Sequence, residues 1–310
     1  MADSRGLAYH RSMSEPSPRD PRRAPRPPAM RARFAEIVTL PDPYIDLATA
    51  CACIAAEADP GVSSRALHDE LDALAERVRS ELPPYLGEAA RRDSGIRTAA
   101  ELDAILDGLH HVLYEELALS GAPRDAWEPG HTYLSDVIRL RRGLPIALGV
   151  LELEVGWRLG LPLYGIGLPG HFIVGGPEGR LIDPYSRGRT LSEEDCEALM
   201  RDALGRPVPL RRSMLRPATR REIIARLLGN LRGIYLSRRE WAPALGVLEL
   251  LVILDPEDPA LRRDRALLYG RCGRFTDAVR GLDRYLEELP EAPDLEEVRI
   301  ARAIFGGRRN

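Results

Sequence analysis

The sequence contains neither lysine nor glutamine, and every one of its 44 Lys/Arg positions is arginine. That reads as a bias of the source toward arginine codons rather than as a functional device. Cysteine is scarce, and four residues without a recognisable pairing framework agree with a reducing compartment. No stretch reaches ~18 uncharged apolar residues, and the first residues lack the apolar segment of a secretory signal. A soluble, cytoplasmic chain with no membrane partner is therefore expected. A formal net charge of −3 offers no basic excess to a nucleic-acid partner. His131 and the pair His110-His111 stand at no ligand spacing from a thiol or carboxylate. Neither a metal nor a cofactor is expected.

What is present fits two domains within 310 residues. Residues 1–33 are rich in proline and arginine, have no apolar period, and are expected to be a disordered leader. Apolar residues then recur at helical spacing over Tyr44 to Glu57, Ala66 to Leu82 and Ala99 to Leu117, with breaks at Asp59-Pro60-Gly61 and Pro83-Pro84. Ser135 has the character of a helix N-cap.

The segment from Gly143 to Pro184 carries the chemistry. Leu144, Leu148, Leu151, Val155 and Leu159 form a buried stripe on a helix that Gly143 and Pro145 open and Gly160 and Pro162 close. After it, Phe172 to Val174, a glycine-rich turn and Arg180 to Ile182 have the pattern of a hairpin. With the turn centred on Pro177, Ile173 faces Leu181 and His171 faces Asp183, about 4.5–5.5 Å apart at Cβ. A carboxylate so placed fixes an imidazole tautomer, the role of the acid in a Ser or Cys triad.

The string Gly143-Leu-Pro-Ile, with Arg158-Leu-Gly-Leu-Pro162, Gly170-His171-Phe172 and Ile182-Asp183-Pro184, resembles the transglutaminase-like core of papain-type architecture. More closely, it resembles the bacterial SirB-type family, which joins that core to tetratricopeptide repeats. The resemblance implies a mostly helical α+β fold with a helical bundle packed on the core over residues 34–215. It also places Pro145 on the nucleophile and His171 and Asp183 on the other triad members. No thiol chemistry can start from proline. A transglutaminase joins glutamine to lysine, so this chain would not be its own substrate. Cys51, Cys53 and Cys196 are poor substitutes: two lie on a helix whose apolar pattern predicts burial, and Cys196 is surrounded by acidic residues.

Residues 216–310 show a second pattern. Tyr235 and Tyr269 are 34 residues apart, as are Trp241 and Phe275, Ala244 and Ala278, Leu248 and Leu282, and Pro256 and Pro290. That is the tetratricopeptide period. Two units are too few to stand alone, so they are expected to pack on the core and on a capping helix from Asp294 to Phe305. Arg226, Arg232, Arg262 and Arg265 are candidates to clamp a carboxylate or phosphate, against the alternative of a solvated face with surface ion pairs.

Two functions stand open. One is a degenerate transglutaminase-like protein that binds a protein or peptide partner, with the backbone N–H groups at Ile146 and the imidazole of His171 lining the old cleft. In that case His171→Ala is expected to leave stability nearly unchanged. The other is a rewired hydrolase in which the His171–Asp183 dyad activates water or a hydroxyl.

Overall fold

A computed structural model describes residues 28–90 and 98–308. Helix α2 (Leu47–Ala56) is apolar on every side, and all of its residues are buried, as expected of a helix with no polar face. Asp46 caps it by accepting the Thr49 N–H. Around it pack α1 (Pro28–Val38) and α3 (Ser64–Glu81), the latter amphipathic with Leu67, Leu71, Leu74 and Val78 inward. The helix α1 begins inside the stretch that composition assigns to the leader. Arg31 on it forms a two-pronged ion pair with the half-buried Glu57, which ties residues 28–33 to the core; residues 1–27 lie outside the described residues.

Pro84 starts the short helix α4 (Pro84–Ala89), and α5 (Ala99–His110) opens on a Thr98/Glu101 capping box. The α5 pattern does not run on unbroken to Leu117: residues His111–Glu116 widen into a π-helical segment. Next come β1 (Ser120–Gly121), α6 (Leu134–Leu140), β2 (Arg142–Gly143) and α7 (Pro145–Arg158), with β1 and β2 paired in parallel. Ser135 is not the cap of α6. The N-cap is Tyr133, whose hydroxyl instead bonds Tyr235 at 2.6 Å.

A four-stranded antiparallel sheet follows in sequence order: β3 (Tyr164–Ile166), β4 (Ile173–Gly175), β5 (Leu181–Asp183) and β6 (Arg189–Leu191). The central register differs from the sequence expectation by two residues. Gly175 faces Leu181 and Val174 faces Ile182, because the turn is centred on Glu178, not Pro177. Glu178 sits at φ 56° and Gly179 at φ 77°, and the Gly176 N–H to Arg180 carbonyl bond closes a five-residue loop. Helix α8 (Glu193–Leu204) packs beyond the sheet with Cys196 and Met200 inward.

The remaining helices are α9 (Arg220–Ser237), α10 (Trp241–Leu254), α11 (Pro259–Arg271), α12 (Phe275–Glu288) and α13 (Leu295–Gly306). Their backbone repeats as faithfully as their side chains. Arg239 at φ 58° and Gly273 at φ 78° are equivalent left-handed turn residues. The bonds Glu240 N–H to Tyr235 O and Arg274 N–H to Tyr269 O recur at the same places. Asp42, far away in sequence, accepts the N–H groups of Arg220 and Arg221 and so caps α9 from the N-terminal side. One apolar core runs from Phe34 through α7 and α9 to Leu268, while α11 to α13 share a smaller cluster around Ala278, Leu282 and Phe305.

Candidate functional site

Pro145 occupies the first position of α7, where its missing N–H is not needed. The preceding Leu144 N–H is held by the His131 carbonyl at 2.8 Å. The Ile146 and Ala147 N–H groups have no acceptor within the helix, but Ile146 is only 1% exposed. One turn on, Gly149 matters through what it lacks. A Cβ there would lie 2.5 Å from the Phe172 ring, and a Cβ on Gly165 would meet the same ring from β3 at 2.5 Å. Two glycines thus make the slot for Phe172, and Phe172 fixes where His171 comes to rest. The turn before it needs Gly170 at φ 73°.

His171 and Asp183 do meet. The Nε2–H of His171 donates to Asp183 Oδ1 at 2.8 Å. The contact is diagonal rather than directly cross-strand, because the two-residue register difference preserves the shared face. Asp183 also accepts from the Tyr185 N–H at 3.1 Å and the Ser186 hydroxyl at 2.5 Å. Burial pushes its carboxyl up, yet the His171, Ser186 and Tyr185 hydrogen bonds and the neighbouring imidazole outweigh this and hold its pKa below the usual aspartate value. The edge of Tyr185 packs on the imidazole with centroids 5.6 Å apart, and Tyr185 in turn bonds the Ala122 carbonyl.

Both dyad side chains are almost wholly withdrawn from water, at 0% and 1% exposure. With Nε2 protonated toward the carboxylate, a neutral imidazole leaves a lone pair on Nδ1. That atom is buried with no hydrogen-bond partner, a rare condition for a buried polar atom. The burial reverses the expectation that His171→Ala is nearly neutral for stability, since the carboxylate would keep its desolvation and lose its main donor.

The arginines proposed as clamps are each engaged inside the chain. Arg226, from α9, donates to the carbonyls of Leu168 and His171 at 2.8 and 2.6 Å and lies 6.0 Å from the Phe172 ring. It fixes the backbone that carries the imidazole. Arg232 pairs with Asp264 at 2.9 Å, Arg262 with Glu288 at 2.7 Å and Arg265 with Glu249 at 3.3 Å. The four do not converge on one point.

A second buried polar cluster lies two turns along α7. Glu152, 0% exposed, accepts the hydroxyl of Tyr114 and approaches His110 Nε2 at 3.1 Å. Burial, and then Glu152, push the Tyr114 phenol well above its usual value. Tyr114 is presented by the π-helical segment, and its ring packs against Gly188 in the turn after the dyad. Sequence reasoning passed over this cluster, although a glutamate between Leu151 and Leu153 on a core helix was its visible signal. Among the described residues the thiols make no hydrogen bond to the dyad, although the Asp183 charge reaches Cys196. Burial first of all pushes Cys51 well up and Cys53 and Cys196 to about 11. Among the described residues, no group of three or more His, Cys, Asp or Glu could hold a metal ion, and no helix is long and apolar enough to cross a membrane.

A model of the transglutaminase-like superfamily matches residues 65–229, and a model of the tetratricopeptide repeat matches residues 231–303. The two segments meet inside α9. A "UPF0162 protein" of Xylella fastidiosa (strain 9a5c) is 36% identical over 197 residues, covering 62% of this chain and 70% of that protein. "Protein SirB1" of Salmonella typhimurium is 28% identical over 237 residues, covering 75% of this chain and 82% of that one. "F-box only protein 21" of Pongo abelii is 25% identical over 250 residues, 74% of this chain but only 39% of that protein. No solved structure matches the chain. A core helix opened by Pro145, a buried His171–Asp183 pair on a small antiparallel sheet, and helical pairs of period 34 together make this chain a member of the transglutaminase-like superfamily, in the SirB1 and UPF0162 group, with tetratricopeptide repeats at its C-terminal end.

Proposed function

We propose that this chain is a transglutaminase-like protein without a working nucleophile, acting in the cytoplasm as a protein-binding or regulatory module. The observation that carries the reading is the coincidence of Pro145 at the helix start with a dyad closed off from solvent. Proline has no group that can attack a carbonyl, and a buried His–Asp pair that also caps its own turn is placed to hold structure. The partner is a protein or peptide, and the repeats are its surface, as tetratricopeptide units commonly are. Purified protein should show neither thiol-dependent amidase nor crosslinking activity. Turnover abolished by iodoacetamide would end this reading.

The unpartnered Nδ1 of His171 supports a second reading, a rewired hydrolase in which that nitrogen takes a proton from water or a hydroxyl. An esterase and peptidase screen with His171→Gln as the control separates the two, because activity that survives the substitution excludes the dyad mechanism. Pro145→Cys tests the ancestry common to both. A thiol at the α7 N-terminus, at the positive end of the helix dipole, should ionise below the ~8.5 of a free cysteine, which the pH profile of iodoacetamide labelling reads directly.

A further inference from the structure

We propose that the groove between α11 and α12 is a seat for an acidic peptide segment, whose carboxylates lie along rows of arginine. The inference rests on the reading of the repeats as an interaction module and does not involve the dyad.

The groove follows from one close approach. A Cβ on Gly281 would lie 2.7 Å from the Cβ of Ala266, so the two helices nearly touch there and no large side chain fills the space above. What remains is a channel of about 250 Å³ with Arg262 and Arg265 on the α11 side and Arg280 and Arg284 on the α12 side. On each helix these positions recur at three- or four-residue spacing, so they stand in a row along one face. The α12 lining runs from Asp277 to Glu288, about 17 Å of helix at ~1.5 Å per residue. That length suits an extended chain better than a single ion.

Charge fixes the chemistry. Glu288 lies between Arg262 and Arg284, at 2.7 and 2.6 Å; the groove's own side chain shows that a carboxylate fits between two of these guanidiniums. Asp277 is bound by Arg274. Arg265 reaches Glu249 only at 3.3 Å. The exposed side chain of Arg280 has no hydrogen bond or ion pair among the described residues. Four arginines against two lining carboxylates leave a positive excess in a chain whose net charge is negative. A segment bearing several Asp or Glu side chains would take the free valence of Arg280 and Arg265 and compete with Glu288 for its two partners.

Fluorescence anisotropy of the full-length protein tests this with a fluorescein-labelled Ser/Glu nonapeptide. Its Ser/Gln counterpart and a labelled oligouridylate nonamer are the comparators. The acidic peptide should bind, the Ser/Gln peptide and the oligonucleotide should bind at least about tenfold more weakly, and added salt should weaken the complex. Arg280→Glu should lower affinity by about two- to fivefold, given the usual size of exposed charge pairs. It removes no side-chain hydrogen bond or ion pair among the described residues, so its circular dichroism and melting should match the parent. Arg65→Glu, on the exposed surface of α3, should leave affinity unchanged. Equal binding of the three probes, equal weakening by Arg65→Glu and Arg280→Glu, or unchanged affinity of Arg280→Glu would overturn the proposal. So would failure of the acidic peptide to bind. The reading of the core as nucleophile-less is judged by its own activity assays, so either can fail alone.

Discussion

Replacing His171 with alanine should destabilise the fold by about 3 kcal/mol, and the size can be assembled from its contacts. The bond to Asp183 at 2.8 Å joins an imidazole and a carboxylate that water does not reach; a hydrogen bond to a charged group is worth about 1.5–3 kcal/mol. Loss of the edge contact with Tyr185 adds about 0.5–1.5 kcal/mol. Ser186 and the Tyr185 N–H still serve the carboxylate, which keeps the total near the lower end of the ~3–5 kcal/mol typical of breaking a buried pair. Asp183→Asn preserves shape and should cost less, about 1–2 kcal/mol. Because both substitutions act on the same bond, the double variant should cost at least ~1 kcal/mol less than their sum. Acidity gives an independent handle. The folded-state pKa of Asp183 lies below its ordinary value, so its contribution is complete above the unfolded pKa of about 3.9 and is lost as pH falls through the folded one. The gap between the native chain and Asp183→Asn should therefore be flat above about pH 5 and close at lower pH. Urea unfolding followed by far-ultraviolet circular dichroism reads all of this. A cost under ~1 kcal/mol for His171→Ala with no coupling to Asp183 would refute the view of the pair as a buried strut.

Three further outcomes are expected. Gly149→Ala gains about 1 kcal/mol of helix propensity but drives a methyl to 2.5 Å from the Phe172 ring. Overpacking of about 1–3 kcal/mol should win, so the melting temperature should fall, and a rise would show that the ring has room to move. Arg239→Gly relieves a left-handed residue at the position where the second repeat has Gly273. It should raise stability by up to about 1 kcal/mol in chemical denaturation, and a loss of stability would refute the assignment of backbone strain there. Glu222 is held down to about 2 by Arg216 first and then by its bonds at the start of α9. It is largely exposed, so Glu222→Gln should cost under ~1 kcal/mol at neutral pH, and that difference should shrink as pH falls from 4.5 through 2; a difference undiminished at pH 2 would contradict the assignment.

Helix α7 was legible because its ends are marked by residues with one backbone use each: Pro145 at the start and Gly160, at φ 69°, just after the end. The repeats were legible because their period constrains many positions at once. The dyad contact was reached through an incorrect register. The sequence pattern centres the turn on Pro177, whereas Glu178 adopts the left-handed conformation that proline cannot; the two-residue difference leaves side chains on the same face. Strands β3 and β6 are three residues each and carry no period of their own. The π-helical segment was invisible because its cause is tertiary: it delivers Tyr114 to Glu152, 38 residues further on. The destinations of the arginines were likewise set by distant partners. Nothing near Arg226 in sequence announces that it will hold the carbonyl of His171.

The shared core has a consequence for how the molecule comes apart. Ile223, Leu227 and Leu231 of α9 belong to the same apolar mass as Phe34 and Leu148, and Asp42 secures the start of that helix. A chain ending at residue 215 would lose a wall of its own interior and expose leucines meant for α9 and α10. The detachable part begins later, at α11, where the smaller cluster takes over. Amide exchange should accordingly show α9 and α10 opening with the transglutaminase-like core and α11 to α13 opening before it.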